Sequence, residues 1–195
     1  MENLITNISF RAPRTIVLVG LMGAGKTSIG RRLAQKLNLP FYDSDHEVEK
    51  AANATVKAIF DMLGEDEFRA GEMRVIRRLL DEDTHVLATG GGAFMTDTTR
   101  KLIKSKAISI WLKADLGTLE ARVSRRNDRP LLDVENQQEV LQELIDERYP
   151  IYQEADIMVE TYDEPASVTV SRLIGKLNEY VKTNFESNDI IIKSV

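Results

Sequence analysis

Cysteine is absent from the 195 residues, so neither a disulfide framework nor thiol chemistry is open to this chain, and the composition suits a reducing cytosol. Histidine occurs twice, too seldom for a histidine-rich metal centre. Long apolar runs are missing as well. The polar lead-in 1–14, expected to fray, has neither the apolar core of a signal peptide nor a membrane span. These absences set the expectation of a cytoplasmic protein with no membrane partner. Nor is there an excess of positive charge. The net charge is −5, which argues against a general nucleic-acid surface and leaves anion binding to local arginines and lysines. Repeats, low-complexity tracts and domain-splitting linkers are also lacking. One ordinary domain with one core is therefore expected at this length.

What is present centres on Gly20-Leu21-Met22-Gly23-Ala24-Gly25-Lys26-Thr27, which matches the phosphate-cradling pattern G-x-x-x-x-G-K-[ST]. The β-branched run Thr15–Val19 precedes it, and Ile29, Leu33 and Leu37 follow at the four-residue spacing of a buried helix face. A strand before and a helix after are the context such a loop needs. Its glycines let backbone N–H groups turn inward around phosphate oxygens, and the helix N-terminus adds partial positive charge. Lys26 can reach the β- and γ-phosphates, and the Thr27 hydroxyl can ligate Mg²⁺.

Beyond the loop helix, to about Leu37, the pattern alternates. Strands are expected at Leu39–Tyr42, Val86–Ala88, Ala107–Leu112 and Asp156–Glu160. Helices are expected within Glu47–Leu63, stopped by Gly64, then at Glu65–Leu80, Thr98–Lys104, Asp115–Arg125, Glu135–Glu154 with a disturbance at Pro150, and Pro165–Val181. Ile190–Ile192 reads as either an extra strand or a mobile tail. Such alternation implies parallel β-α-β units, whose ligands bind beyond the carboxyl ends of the strands. Gly20–Thr27, Asp43/Asp45 and Gly90–Gly92 each follow an expected strand, so all three should gather on one edge.

Asp43 and Asp45 would face the same way by strand alternation. One carboxylate could hold Mg²⁺ through water while the other accepts a proton from a substrate hydroxyl; helix N-capping is the competing account. Arg69 and Arg148 could clamp a carboxylate bidentately if they meet, or each could be a solvated arginine paired with nearby acids, Glu65 or Glu72 for Arg69. Gly90-Gly91-Gly92 permits close backbone approach, or marks a flexible turn. Arg125, Arg126 and Arg129 form either a solvated charge run or a closing lid.

Taken in order, Gly20–Thr27, Asp43-Ser44-Asp45, Phe60 to Arg69, Gly90–Gly92, Arg129-Pro130-Leu131-Leu132 and Glu147-Arg148-Tyr149-Pro150-Ile151-Tyr152 resemble the shikimate kinases, small P-loop kinases of aromatic amino-acid biosynthesis. That resemblance implies an α/β, three-layer P-loop kinase fold: a five-stranded parallel sheet with helices on both faces. It implies an N-terminal extension (1–14), one kinase domain (15–182) with a substrate-binding subdomain near 45–80 and a lid near 122–136, and a C-terminal tail (183–195). It also implies ATP-dependent phosphorylation of the shikimate 3-hydroxyl by a monomer. By the same likeness Asp45, Arg69, Gly91 and Arg148 hold shikimate, and Gly23, Ala24, Gly25, Lys26, Thr27 and Ser28 hold the ATP phosphates. Thr27 binds Mg²⁺ with Asp43 helping through water, Arg129 is the lid arginine on ATP, and Arg125 or Arg126 packs on adenine. Lys26, Asp45 and Arg129 are then the catalytic set.

The competing enzyme readings are kinases of gluconate, which also offers a carboxylate and hydroxyls, or of nucleoside monophosphates, for which the charged stretch Asp45–Leu80 lacks walls for a base. A nucleotide switch with no transfer reaction is the reading from another class.

Overall fold

In the computed structural model, which describes residues 8–9, 12–124, 136–185 and 193–194, the chain opens with β1 (Ile8–Ser9) and then β2 (Thr15–Val19). All of β2 is buried, as an apolar run needs when helices cover both faces of a parallel sheet. The P-loop leads into α1 (Lys26–Leu37), closed by Asn38 in the left-handed conformation. After β3 (Phe41–Asp43) come α2 (Ser44–Ala52) and α3 (Val56–Leu80), the latter kinked at Gly64, whose φ of 80° departs from the helix. Next are β4 (Val86–Ala88), a 3₁₀ turn (Ala93–Met95), α4 (Asp97–Lys106) and β5 (Ala107–Ala114). The chain closes with α5 (Leu116–Ser124), α6 (Gln137–Tyr152), β6 (Ile157–Thr161), α7 (Ala166–Asn184) and β7 (Lys193–Ser194).

Five strands form one all-parallel sheet in the order β3-β4-β2-β5-β6. This is the expected α/β architecture with helices on both faces. The central strands are buried almost throughout, whereas edge strand β6 alternates, burying Ile157, Val159 and Thr161 and exposing Met158 and Glu160. From β2 the chain steps out to β3, returns to β4, then crosses to β5 and β6 on the other side. The P-loop therefore lies where the winding reverses, the place where open α/β sheets bind ligands.

Gly64 is non-helical (φ 80°, ψ 175°) and separates two helical stretches within α3, as its place as a stop leads one to expect, and Pro150 sits inside the last turn of α6, near its end. One local expectation shifts. The strand before Asp45 ends at Asp43, so Asp45 occupies the first turn of α2 and owes its direction to a helix, not to strand alternation. The chain ends are also tied in. Ile8–Ser9 pairs antiparallel with Lys193–Ser194, Ala12 is buried, and the Arg14 guanidinium lies 5.5 Å from the Phe185 ring. Ile190–Ile192 falls outside the described residues.

Under β5 and α6 the aromatic core is built from Trp111, Tyr152 and Phe94, each at most 1% exposed. Trp111 and Tyr152 ring centroids are 6.0 Å apart, and Trp111 meets Tyr149 edge-on at 4.9 Å. Fully burying side chains of this size contributes on the order of 2–3 kcal/mol each. That anchoring matters because α6 carries Arg148 next to Tyr149 and one helical turn before Tyr152.

Candidate active site

The P-loop folds as its glycines require. Gly23 and Gly25 take φ of 82° and 95°, values open to glycine at no steric cost. Lys26 Nζ donates to the carbonyls of Gly20 (2.7 Å) and Leu21 (2.9 Å), spanning the loop it belongs to. Gly23, Gly25, Lys26, Thr27 and Ser28 line a cavity of about 450 Å³. Ala24 does not line it; it is buried, with its N–H turned to the Leu21 carbonyl at 3.2 Å.

Thr27 and Asp43 meet at the loop's mouth. The Thr27 hydroxyl donates to Asp43 Oδ2 at 2.7 Å, while Asp43 Oδ1 accepts from the Asp45 N–H at 3.2 Å. Asp43 thus caps α2 and faces the P-loop at once, so capping and the placement near phosphate coexist. Oxygen-only donors of this kind suit Mg²⁺, which keeps waters and phosphate oxygens in most of its positions.

The second group forms around Gly90–Gly92, beyond β4. Ser44, fully buried, accepts from the Gly90 N–H at 3.0 Å and ties this loop to α2. Each glycine is closely approached. A Cβ on Gly90 would lie 2.6 Å from Asp45 Oδ1 and 2.7 Å from Glu72 Oε1, and one on Gly92 would overlap the Arg69 guanidinium. A Cβ on Gly91 would lie 3.8 Å from Arg148 Nη1 and 3.7 Å from both the Gly20 carbonyl and the Met22 amide. Asp45, Arg69 and Arg148 therefore gather around three consecutive glycines next to the P-loop, although they come from α2, α3 and α6.

Of the two accounts of Arg69, the structure shows the pairing. Arg69 pairs with Glu72 (2.8 Å) and Glu65 (3.2 Å), and its guanidinium lies 5.1 Å from the Phe68 ring and 5.9 Å from Phe60. The partners hold the fork against Gly92 rather than letting it sweep through solvent. Arg148 sits 3.8 Å from Glu147 through Nε, a nitrogen that is buried without a hydrogen-bond partner among the described residues. Tyr152 donates its hydroxyl to the Gly91 carbonyl; burial raises its pKa, so it stays a neutral donor. Tyr149 donates to the Ala114 carbonyl, and burial pushes its phenol up to about 12.

Two contributors lie outside the sequence reading. Glu72, 1% exposed, is raised above the usual carboxylate range by burial, against the pull of Arg69 and with a push from Asp45. Its only signal in the sequence is the three-residue spacing from Arg69, shared with any solvated helix pair. Arg122 lines the nucleotide-side cavity and donates from Nη1 to the carbonyls of Gly23 (3.3 Å) and Ala24 (3.2 Å). Arg129, and the adenine-side candidates Arg125 and Arg126, lie outside the described residues. The described residues contain no group of three or more His, Cys, Asp or Glu able to hold a metal, and no described helix is long and apolar enough to cross a membrane.

Comparison with known proteins completes the description. The shikimate kinase family model matches residues 22–178. A shikimate kinase of Caulobacter vibrioides is 56% identical over 85% of this chain and 83% of its own. The structure of the Acinetobacter baumannii shikimate kinase in complex with shikimate superposes with a TM-score of 0.81 at 37% identity, covering 89% of this chain and 96% of that one. A gluconokinase from Sinorhizobium meliloti gives a TM-score of 0.62 at 18% identity, covering 89% and 96%, a likeness of fold alone.

Proposed function

The chain belongs to the shikimate kinase family, and on that premise we propose which of its residues transfer the γ-phosphoryl group of ATP to the 3-hydroxyl of shikimate, giving shikimate 3-phosphate and ADP. The observation that carries the assignment is the meeting of Asp45, Arg69 and Arg148 around Gly90–Gly92, with Gly91 against the P-loop backbone.

Arg69 and Arg148 hold the acid's carboxylate, each able to present two parallel N–H donors to a planar anion. Gly91 leaves room for the ring, and Asp45 orients the 3-hydroxyl and takes its proton as the new O–P bond forms. The bond from γ-phosphorus to the bridging oxygen breaks in line, and the electrons leave with ADP. At the other end, Gly23, Gly25 and Ser28 line the triphosphate channel and Ala24 shapes the turn behind it. Lys26 is already at the cavity and exchanges loop carbonyls for β- and γ-oxygens. Thr27 and Asp43 would hold Mg²⁺, which when bound neutralises charge across the β- and γ-phosphate oxygens. Arg129 takes the lid role that the family likeness gives it, and Arg122 takes the adenine-side position expected of Arg125 or Arg126. Residues 45–80 then act as the acid-binding subdomain and 122–136 as the lid of a kinase domain spanning 15–182. The family likeness makes the enzyme a monomer working in the cytoplasm.

A coupled assay of ADP release with shikimate, gluconate and nucleoside monophosphates tests the acceptor. Turnover is expected with shikimate alone; turnover with gluconate and none with shikimate would overturn the acceptor assignment.

A further inference from the structure

Glu72 stands where like charge is most crowded. Its Oε2 accepts from Arg69 Nη1 at 2.8 Å, while Oε1 is buried with no hydrogen-bond partner among the described residues. That orphan oxygen and Asp45 Oδ1 are 2.7 and 2.6 Å from one point beside Gly90, so the two carboxylate oxygens lie no more than 5.3 Å apart. Charged groups around Glu72 are Asp45 from α2, Glu65 and Arg69 from its own helix, and Arg148 from α6 beyond Gly91. The 3₁₀ turn adds Ala93, Phe94 and Met95, none of which titrates. Arg69 is thus shared by two glutamates before any acid arrives.

We propose that Glu72 takes up a proton when shikimate binds, so that the acid enters its site together with one H⁺. The inference rests on the reading that Arg69 holds the shikimate carboxylate. Binding then does two things to Glu72. It draws part of the Arg69 fork away, and it brings the acid's own carboxylate to the guanidinium that Glu72 shares; both favour the neutral acid. Burial already leans Glu72 the same way. Protonation gives the acid an O–H donor, so that the cluster gains a hydrogen bond where it had facing anions. The sign follows from linkage. Glu72 titrates higher in the complex than in the free enzyme, so between those two values binding consumes a proton and affinity falls as pH rises.

Calorimetric titration of the full chain with shikimate, in two buffers of different ionisation enthalpy from about pH 4.5 upward to about 9, reads the proton count directly. Uptake approaching one proton is expected within that range, with Kd rising by up to about tenfold per pH unit there. Glu72→Gln should bind with no uptake and a flat pH profile. A residue that merely braced Arg69 would weaken binding in that variant and leave the proton count unchanged. If Glu72→Gln does not fold, infrared difference spectra of the wild type should show a neutral carboxyl stretch appearing as shikimate is added. Shikimate binding without proton uptake anywhere in the range, or with the wild-type count in Glu72→Gln, overturns the proposal. Arg69→Lys separates it from its premise: unchanged shikimate affinity there removes the reading of Arg69, whatever the proton count.

Discussion

The two ends of the cleft are built by opposite strategies. The nucleotide end is local: eight consecutive residues, two left-handed glycines and a helix start make a cradle mainly from backbone, with Lys26 bonded to carbonyls of its own loop. The acid end is assembled from α2, α3, α6 and the Gly90–Gly92 loop, and its donors are long side chains held by carboxylates and aromatic rings. A backbone cradle presents its N–H groups whether or not phosphate is there. On the assignment proposed for Arg69, the acid end must first loosen an ion pair, because the guanidinium is already held by Glu65 and Glu72. Damage at the first end should therefore appear in turnover, and damage at the second in affinity for the acid.

The largest expected effect tests that division at the first end. Lys26→Met removes a cation aimed at charge that develops on the transferring group, and kcat is expected to fall by about 10²–10³-fold or more, with a modest rise in KM for shikimate. Next in size is the second end. Arg69→Lys and Arg148→Lys keep the charge but lose the fork, and each should raise KM for shikimate about 10–100-fold, leaving KM for ATP within about twofold. Equal losses for both substrates would break the comparison, because they would mean that the arginines support the whole cleft. Gly92→Ala is expected to have a smaller effect of the same kind. The new methyl would overlap the Arg69 guanidinium, and because that is the end of a flexible side chain it can shift, so KM for shikimate should rise about tenfold or less.

The same contrast explains what could be read from the chain alone. The P-loop was legible because its determinants are contiguous and its flanks are a strand and a helix. The sheet followed from apolar runs with short spacers, down to the shared edge for Asp43, Gly90–Gly92 and the P-loop. Arg69 and Arg148 were only candidates by spacing, since nothing in a linear pattern brings α3 to α6; the ordered likeness to a family did that. Glu72 was legible only as a partner for Arg69; its burial was not, because a buried glutamate and a solvated one look alike three residues after an arginine. Arg122 was hidden by its place on α5 among the packing residues Leu119 and Val123, where it reads as a helix surface charge. Pairing of Ile8–Ser9 with Lys193–Ser194 joins the two chain ends, a contact of maximal sequence separation for which short strands carry almost no signal.

A third place in the molecule sharpens the comparison by belonging to neither end. His85 lies at the start of β4, away from the carboxyl edge of the sheet. It is fully buried, with Nδ1 2.8 Å from the Asp83 carbonyl, Nε2 without a hydrogen-bond partner among the described residues, and its ring edge-on to Tyr42 at 5.0 Å. Burial lowers its pKa from the usual value of 6.5. A base whose pKa is depressed by folding contributes its full stability while neutral in both states, above about pH 6.5, and that contribution is lost as pH falls and the unfolded chain binds the proton first. Unfolding free energy should therefore drop by up to about 1.4 kcal/mol per pH unit just below pH 6.5 from this group. His85→Gln, measured by urea denaturation, should flatten that slope. Shikimate affinity, governed by Glu72, should move the other way, strengthening as pH falls. If acid weakened stability and shikimate affinity together in wild type, and His85→Gln relieved both, the acid end would be reporting the state of the fold rather than its own carboxylates, and the distinction between a stiff cradle and a charge-balanced clamp would be lost.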